Sequence, residues 1–521
     1  MPIISVTLPS DNTTADVADY NLPITTILST LNGGLDDDNI ASLSGTKLVA
    51  GTVPQSAMSD ASLNGWVTGK ASAISSVTHN GNRSYTATHA SSMDSVVQPG
   101  MKARFTRTTA APTYMGGVFN GSSQYFIKTT PTSTLSTITN NFTIMLFHEP
   151  TSYVSEYLVA RTDAAANNSI DLSMTSTGTV RIAIISGGSG NVRYIDSIQS
   201  LPLERKTHIA VTWSSGTVVM YFDGVSVPVA SAVTSGTAPT SAGTGGDFAI
   251  GRRGASATGY AVGYISGVGI FNAVLSASTI RSYIPQVLSG AEANCIGAWS
   301  LNNTAVNQQS PGTNDLTATG SVGYTNISPY SVGASNTPST YDYGVVTAVS
   351  GTSVTYQMCE GCTIPTSGGV SAVDISPSGN PIGFPMSKNR WRINTLIRAD
   401  ISTASNATFG AMTGVNILVP IGAWAVGWMS SIAVTAVINL YFNLSDETQT
   451  GLSETASDRR LQTHLLGTSG GASNSGDVNL RSSRNLSAAT TFTMYSLGST
   501  TTGRLSGVRA LTELFAEFEY I

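Results

Sequence analysis

The chain has 521 residues, 41% of them hydrophobic and only 11% charged, where average domains carry roughly a quarter charged residues. A core can be buried, so a chain held open by charge repulsion is excluded. The balance of 25 Lys and Arg against 30 Asp and Glu gives a net charge of −5, and no positive field draws the chain to nucleic acid. The length predicts three or four domains at roughly 100–200 residues each. With three cysteines, no disulfide framework is expected, and the fold must be held by packing.

Helix signals are confined to the first segment, residues 1–66. Met1 to Pro9 lacks the basic start, apolar core and cleavage site of a secretion signal, so a protein acting outside the cell is expected to get there by another route. Pro23 suits a first helical position, and Ile24, Ile27, Leu28 and Leu31 recur at helical spacing before an Asn32-Gly33-Gly34 stop. Such a stripe is too narrow to fold alone. We therefore expect residues 1–66 to anchor and oligomerise the chain through Ile24, Ile27, Leu28 and Leu31. Asp36 to Asp38 read as the start of a second short helix; the Gly and distal Glu of a calcium-hand loop are missing.

Residues 67–112 change to a strand pattern and read as a small β connector. Ser76 to Thr78 runs into Asn80-Gly81, a hairpin turn pair, and Tyr85 to His89 returns. After Pro99-Gly100, Met101, Ala103 and Phe105 alternate with Lys102, Arg104 and Thr106.

Residues 113–327 are the most informative. Val118 to Phe126 and Asn141 to Phe147 are followed by His208 to Trp213, a Ser215-Gly216 turn, Val218 to Phe222, an Asp223-Gly224 turn and Val225 to Val229. Periodicity predicts antiparallel hairpins in a sandwich. Phe248 to Gly251, Gly263 to Ser276, and Gly297 to Leu301 with Asp315-Leu316 complete an ordered series. Its order and wording resemble the laminin G-like, concanavalin A-like jelly-roll family. That resemblance implies a two-sheet sandwich and a binding module more often than a catalyst. Hydrolytic relatives carry an E-x-D-x-E pattern on one strand, and residues 113–327 contain none; Glu149, Glu156, Asp163, Asp171, Asp196, Glu204, Asp223, Asp247 and Glu292 are scattered. Some members bind calcium at the rim, and Asp163, Asn167 and Asn168 are the metal candidates here, with turn propensity an equally good account. No other cofactor is expected. Arg252, Arg253 and Tyr260 are candidates for a ligand loop, with solubilising charge as the competing account.

Residues 328–345 read as a linker. Cys359-Glu360-Gly361-Cys362 is a C-x-x-C read as a surface turn, since no second pair or His stands at zinc spacing. Residues 346–521 are strand-rich and read as a C-terminal β tip, with a looser resemblance to the tip domains of trimeric virus fibres and to tumour-necrosis-factor-like jelly rolls. Val415 to Leu444 is uncharged and long enough to cross a bilayer, yet Trp424, Val426, Trp428, Ile432, Val434, Ile438, Leu440, Phe442 and Leu444 share one parity. That is strand alternation, so no membrane span is expected. The opposite parity, including Ala425, Gly427 and Met429, is small and apolar and suits packing against a second sheet or subunit.

His79, His89, His148, His208 and His464 are spread over different segments, with no G-x-S-x-G elbow, H-E-x-x-H or phosphate loop, so no enzyme is expected. The fold class expected is mainly β: helical segment, connector, concanavalin A-like sandwich, linker and jelly-roll-like tip. Val6 to Asn21, Asn32 to Gly45, Ala50 to Pro54 and Val96 to Thr108 resemble bacteriophage appendage proteins. That resemblance implies a fibre or head-decoration protein, assembled in the host cytoplasm into the virion. It also implies contact with capsid or tail proteins through the N-terminus, a homotrimer, and a host surface glycan as ligand. A secreted bacterial adhesin or carbohydrate-binding subunit is the alternative, and a depolymerase the third.

Overall fold

Antiparallel strands in four sheets are the dominant structure of the described residues, with few helices. The computed structural model describes residues 66–108, 115–326, 341–398, 410–434, 439–445, 461–466, 474–498 and 508–519, except 72, 189, 231, 256–257, 365–368, 377–380 and 382. Residues 1–65, with the Ile24, Ile27, Leu28 and Leu31 stripe, lie outside the described residues. Residues Gly65–Ile521 form one unit.

The first sheet has seven strands in the order Val67–Ala71, Val370–Ser376, Lys102–Arg107, Tyr341–Ser350, Ser353–Met358, Ser84–His89 and Ile74–Gly81. Residues from both sides of the expected linker thus share one sheet. The connector at 67–112 is not a separate module, and the tip does not begin at 346: that boundary falls inside Tyr341–Ser350, which pairs with Lys102–Arg107. Buried charge fastens these strands. Arg104 donates to Asp374 at 3.0 and 2.7 Å, and Arg107 Nε meets Asp342 at 2.5 Å. Phe105 lies edge-on to Tyr356 at 5.0 Å in the core. The hairpin turn falls on Asn82 and Arg83, at φ 49° and 61°, two residues beyond the expected Asn80-Gly81.

The sandwich leaves this sheet after Lys102–Arg107 and returns to it at Tyr341–Ser350. Thr106 lies opposite Tyr341, so the sandwich is an insertion between neighbouring strands. One of its sheets runs Val225–Val227, Thr217–Phe222, Thr207–Ser214, Asn141–Pro150, Val262–Phe271, Met115–Asn120 and Gly323–Asn326, with Cys295–Trp299 also pairing Val262–Phe271. The turns at Ser215-Gly216 and Asp223-Gly224 stand as expected, all four residues at positive φ. The facing sheet runs Thr317–Thr319, Tyr125–Lys128, Asp247–Ile250, Glu156–Thr162, Ser169–Met174, Thr179–Ile185 and Val192–Ser200. Between them Phe142 stacks on Trp213 at 6.1 Å and Phe248 on Trp299 at 4.8 Å, all buried. A helix, Ala277–Tyr283, follows Val262–Phe271, so helix is not confined to the N-terminal segment. Ser276, expected at the end of a strand, caps this helix instead: its Oγ accepts from Thr279 N at 3.1 Å.

The C-terminal region is a second sandwich. Ile393–Ile397, Val508–Phe518, Gly422–Val434 and Asn474–Leu486 continue the sheet of the first one through the pairing of Ser200 with Leu396. Gly410–Val419, Thr490–Gly498, Asn439–Ser445 and Leu461–Leu466 form the opposing sheet. The described parts of the run from Trp424 to Leu444 are therefore two strands in two sheets, and Trp424, Val426, Trp428, Phe442 and Leu444 of the common parity are all buried. Trp428 meets Phe442 at 4.9 Å across the core. On the opposite parity, Gly427 is packed against a side chain of its own chain. A Cβ on Gly427 would come within 2.5 Å of the Phe515 ring, and the Arg392 guanidinium lies over that ring at 4.3 Å, held by Glu513 and Glu517 at 3.0 and 3.2 Å. Cys359 and Cys362 form the expected turn, Cys362 N donating to Cys359 O at 2.9 Å, but both side chains are buried, not at the surface, and Cys362 Sγ accepts from Tyr343 N at 3.1 Å.

Candidate binding groove

Four strands of the sandwich, Glu156–Thr162, Ser169–Met174, Thr179–Ile185 and Val192–Ser200, send alternate residues to opposite faces. Leu158, Ile170, Leu172, Ile182, Ile184 and Ile195 enter the core. The outward positions fall into two rows across the sheet. Asp171, Ala183 and Tyr194 lie directly opposite one another on successive strands. So do Tyr157, Ser173, Arg181 and Asp196. The small Ala183 and Ser173 keep the floor low, and Arg253 reaches over from a loop, leaving a groove of about 370 Å³.

Its charges are paired. Arg181 holds Asp196 through two bonds of 2.7 and 2.8 Å, a fork geometry that fixes both groups. Its guanidinium lies 5.1 Å from the centre of the Tyr194 ring. Arg253 Nε donates to Asp171 Oδ2 at 3.0 Å and lies 5.7 Å from the Tyr157 ring, while Thr162 donates to Asp171 Oδ1 at 2.8 Å. Burial pushes the Asp171 carboxyl above the usual carboxylate range, and the Arg253 charge and these hydrogen bonds oppose it. Burial also raises Tyr157, with the Asp171 charge adding to it. At one end Glu156, fully buried, meets His148 Nε2 at 2.9 Å and accepts from Val262 N. His148 Nδ1 lies 3.0 Å from Tyr264 O. The groove therefore offers two tyrosine rings and a set of preoriented donors and acceptors, with no net charge left over in its two ion pairs.

Of the residues singled out from sequence, Arg253 lines this groove. Arg252 does not: its guanidinium stacks 3.9 Å from the Tyr125 ring and it donates to Gly254 O at 3.0 Å. Tyr260 joins that cluster, 6.0 Å from Tyr125. The structure brings Asp163, Asn167 and Asn168 into one loop, where the carboxylate is already engaged. Its two oxygens accept from Asn167 N at 2.7 Å and Asn168 Nδ2 at 2.9 Å, and Asn168 Oδ1 accepts from Gly187 N at 3.1 Å. Tyr157, Arg181, Tyr194 and Asp196 were missed as a group. The signal was available as alternation, in Asp171-x-Ser173, Arg181-x-Ala183 and Tyr194-x-Asp196.

The sequence profile of the Concanavalin A-like lectin/glucanases superfamily, Laminin_G_3, matches residues 120–281. No curated protein sequence matches the chain. Among solved structures the chain is similar to a Bacteroides ovatus protein assigned to carbohydrate binding, at 13% identity over 43% of this chain and 60% of that one, with a TM-score of 0.30. It is also similar to a heptameric serum-amyloid-P-like pentraxin of Limulus polyphemus (16% identity, 39% and 94% of the two chains, TM-score 0.25). Domains LG4-5 of the mouse laminin alpha1 chain give 9% identity over 78% and 91%, with a TM-score of 0.22. The chain thus spans less than two thirds of the Bacteroides ovatus protein. Residues 120–281 carry a laminin G-like, concanavalin A-like sandwich.

Proposed function

We propose that the chain is a carbohydrate-binding protein and that the groove over Tyr157, Asp171, Arg181, Tyr194 and Arg253 takes a neutral glycan. The observation that supports this most is the pairing of two tyrosine rings with ion pairs whose charges cancel. Sugar rings present apolar C–H faces to aromatic rings and hydroxyls to fixed donors and acceptors, and a groove with balanced charge has no preference for an anionic substituent. What supports binding rather than hydrolysis is the engagement of its carboxyls: Glu156 is tied to His148 and Val262 N, and Asp171 to Arg253 and Thr162. A glycan array followed by calorimetry tests the reading. Neutral oligosaccharides should bind, and Tyr157→Ala should weaken the best of them about tenfold, equivalent to about 1.4 kcal/mol. No glycan bound, or full affinity in Tyr157→Ala, would remove the groove from the account.

On the finer question of where such a module is displayed, we read the chain as a bacteriophage virion appendage, anchored through residues 1–66 and acting as a homotrimer. The support is the resemblance of Val6 to Asn21, Asn32 to Gly45 and Val96 to Thr108 to appendage proteins, and a composition rich in Ser, Thr and Gly. Antibody labelling of intact particles by electron microscopy tests it.

A further inference from the structure

A second cavity, of about 300 Å³, lies where the first sheet, the sandwich and the C-terminal sandwich meet. Each contributes a wall: Asn82 from the turn of the first sheet, Asp223 and Arg281 from the sandwich, Asn394 and Asn416 from the C-terminal sandwich. It shares no residue with the groove over Tyr157. We propose that this junction binds a small molecule through a single carboxylate, held by the Arg281 guanidinium, the rest of the ligand being about one sugar ring in size.

Arg281 selects the charge. It lies on the helix Ala277–Tyr283 with its stem packed against Gly224, where an added Cβ would come within 2.7 Å of Arg281 Cγ. Its Nε donates to Gly224 O at 2.8 Å, which fixes the plane of the fork. Among the described residues, no acceptor is bonded to its two terminal nitrogens and no carboxylate stands within ion-pairing reach of them. The side chain is only half-buried and neither nitrogen is sealed from solvent, so an occupant of the cavity can reach both. A guanidinium with both terminal nitrogens open matches a carboxylate through two parallel hydrogen bonds. The other charges on the walls are engaged. Arg205 donates to Asn394 Oδ1 at 2.6 Å, meets Glu360 at 3.2 Å and lies 3.9 Å from Asp223, which also accepts from His208 N at 2.9 Å. The ion pairs of the groove over Tyr157 cancel, whereas here one cation is left over. One surplus positive charge answers one negative charge, and Asp223 on the same wall opposes a second, as a phosphate dianion would bring. Phe222, Pro202 and Leu396 give an apolar surface to the body of the ligand. The volume stands at the small end of the about 300–1,000 Å³ seen for ligand pockets, enough for one ring and not for a chain of them.

Because three parts of the chain form the walls, an occupant stabilises their docked arrangement. The test uses the full chain and its Tyr157→Ala variant, in which the groove is impaired. Glucuronate, galacturonate, glucose and inorganic phosphate are the probes, read by thermal unfolding and by calorimetry at low and high salt. In Tyr157→Ala at least one uronate should raise the unfolding midpoint and bind about tenfold more tightly than glucose, the margin of a charged hydrogen-bonded pair over a neutral contact. Added salt should weaken it. Arg281→Lys keeps the charge and loses the fork, so uronate affinity should fall about tenfold. Ser226→Glu, at an exposed position on the rim, adds a competing acid without touching the core and should also weaken uronate binding, which decides the matter if Arg281→Lys disturbs the fold. The proposal is overturned if neither uronate binds, or if glucose or phosphate matches the uronate in Tyr157→Ala. It is equally overturned if uronate affinity survives both Arg281→Lys and Ser226→Glu, or if it is lost in Tyr157→Ala, which would assign it to the groove.

Discussion

Two histidines show how far burial alone can set chemistry. His79 stacks on Tyr85 at 4.4 Å and His208 lies edge-on to Phe147 at 5.0 Å. Burial brings each imidazole down from 6.5 to about 3; for His208, His79 and the Lys206 ammonium lower it further. The unfolded chain therefore binds protons on both between about pH 6.5 and about pH 3 while the folded chain does not, so stability must fall as pH drops through that window. Above pH 6.5 both states hold neutral rings and these residues add no slope. We expect urea-unfolding midpoints to decline across that window, and His208→Phe to flatten the decline. An unchanged slope in that variant would place the acid sensitivity elsewhere. In the groove, the raised Asp171 carboxyl takes up its proton at a higher pH than a free aspartate, which releases Arg253. Glycan affinity should accordingly fall on acidification before ordinary carboxylates titrate, a trend measurable by calorimetry across pH.

At the scale of strands, two kinds of fastening are at work. The sandwich is held by large rings: Trp213 is fully buried against Phe142, and Trp213→Ala should cost about 3–5 kcal/mol through lost contact and the cavity left behind. A loss below about 1 kcal/mol would mean that the strand does not face the core. The first sheet relies on buried ion pairs between strands far apart in sequence. Asp342→Ala would strand the Arg107 guanidinium, whose side chain is 6% exposed, and should cost about 3–5 kcal/mol. Replacing Arg107 and Asp342 together by Met and Leu should recover much of that loss, because no charge is then left buried alone. Chemical unfolding of the two variants separates these outcomes.

For the whole molecule, the decisive feature is the insertion of the sandwich between two neighbouring strands. Among the described residues its sheet joins the C-terminal sandwich through one paired position, Ser200 to Leu396, so little backbone bonding is lost by separating them. Residues 113–327 expressed alone should unfold cooperatively as a monomeric β protein, whereas deletion of residues 1–112 should prevent folding of the remainder. That deletion removes four of the seven strands of the first sheet and leaves Tyr341–Ser350 without its Lys102–Arg107 partner. A well-folded product of the deletion would show the sheet to be dispensable. The proposed homotrimer has its own measurement. Light scattering on the full chain should give three times the chain mass; a lasting monomer would assign the small face at Gly427 wholly to Phe515 of the same chain.

Local pattern was enough for the elements it governs. The Ser215-Gly216 and Asp223-Gly224 turns, the strands around Phe142, Trp213 and Phe248, and the strand character of Trp424 to Leu444 could be read from alternation and from residues that tolerate positive φ. The laminin G-like resemblance of residues 113–327 was equally legible, and the match at 120–281 agrees with it. The four strands that build the groove were not read from sequence. Ser169–Met174 alternates Ile170, Leu172 and Met174 into the core with Asp171 and Ser173 toward the groove, but so short a run shows only which residues share a face, not which strands lie beside it. Pairing across long separations was equally hidden: nothing local brings Lys102–Arg107 to Tyr341–Ser350, or divides Trp424 to Leu444 between two sheets. Periodicity records which way each side chain points along its own strand, whereas partners distant in the chain are chosen by the sum of packing and charge pairing in the assembled core. The balanced ion pairs of Arg181 with Asp196 and Arg253 with Asp171 exist only once that assembly has formed.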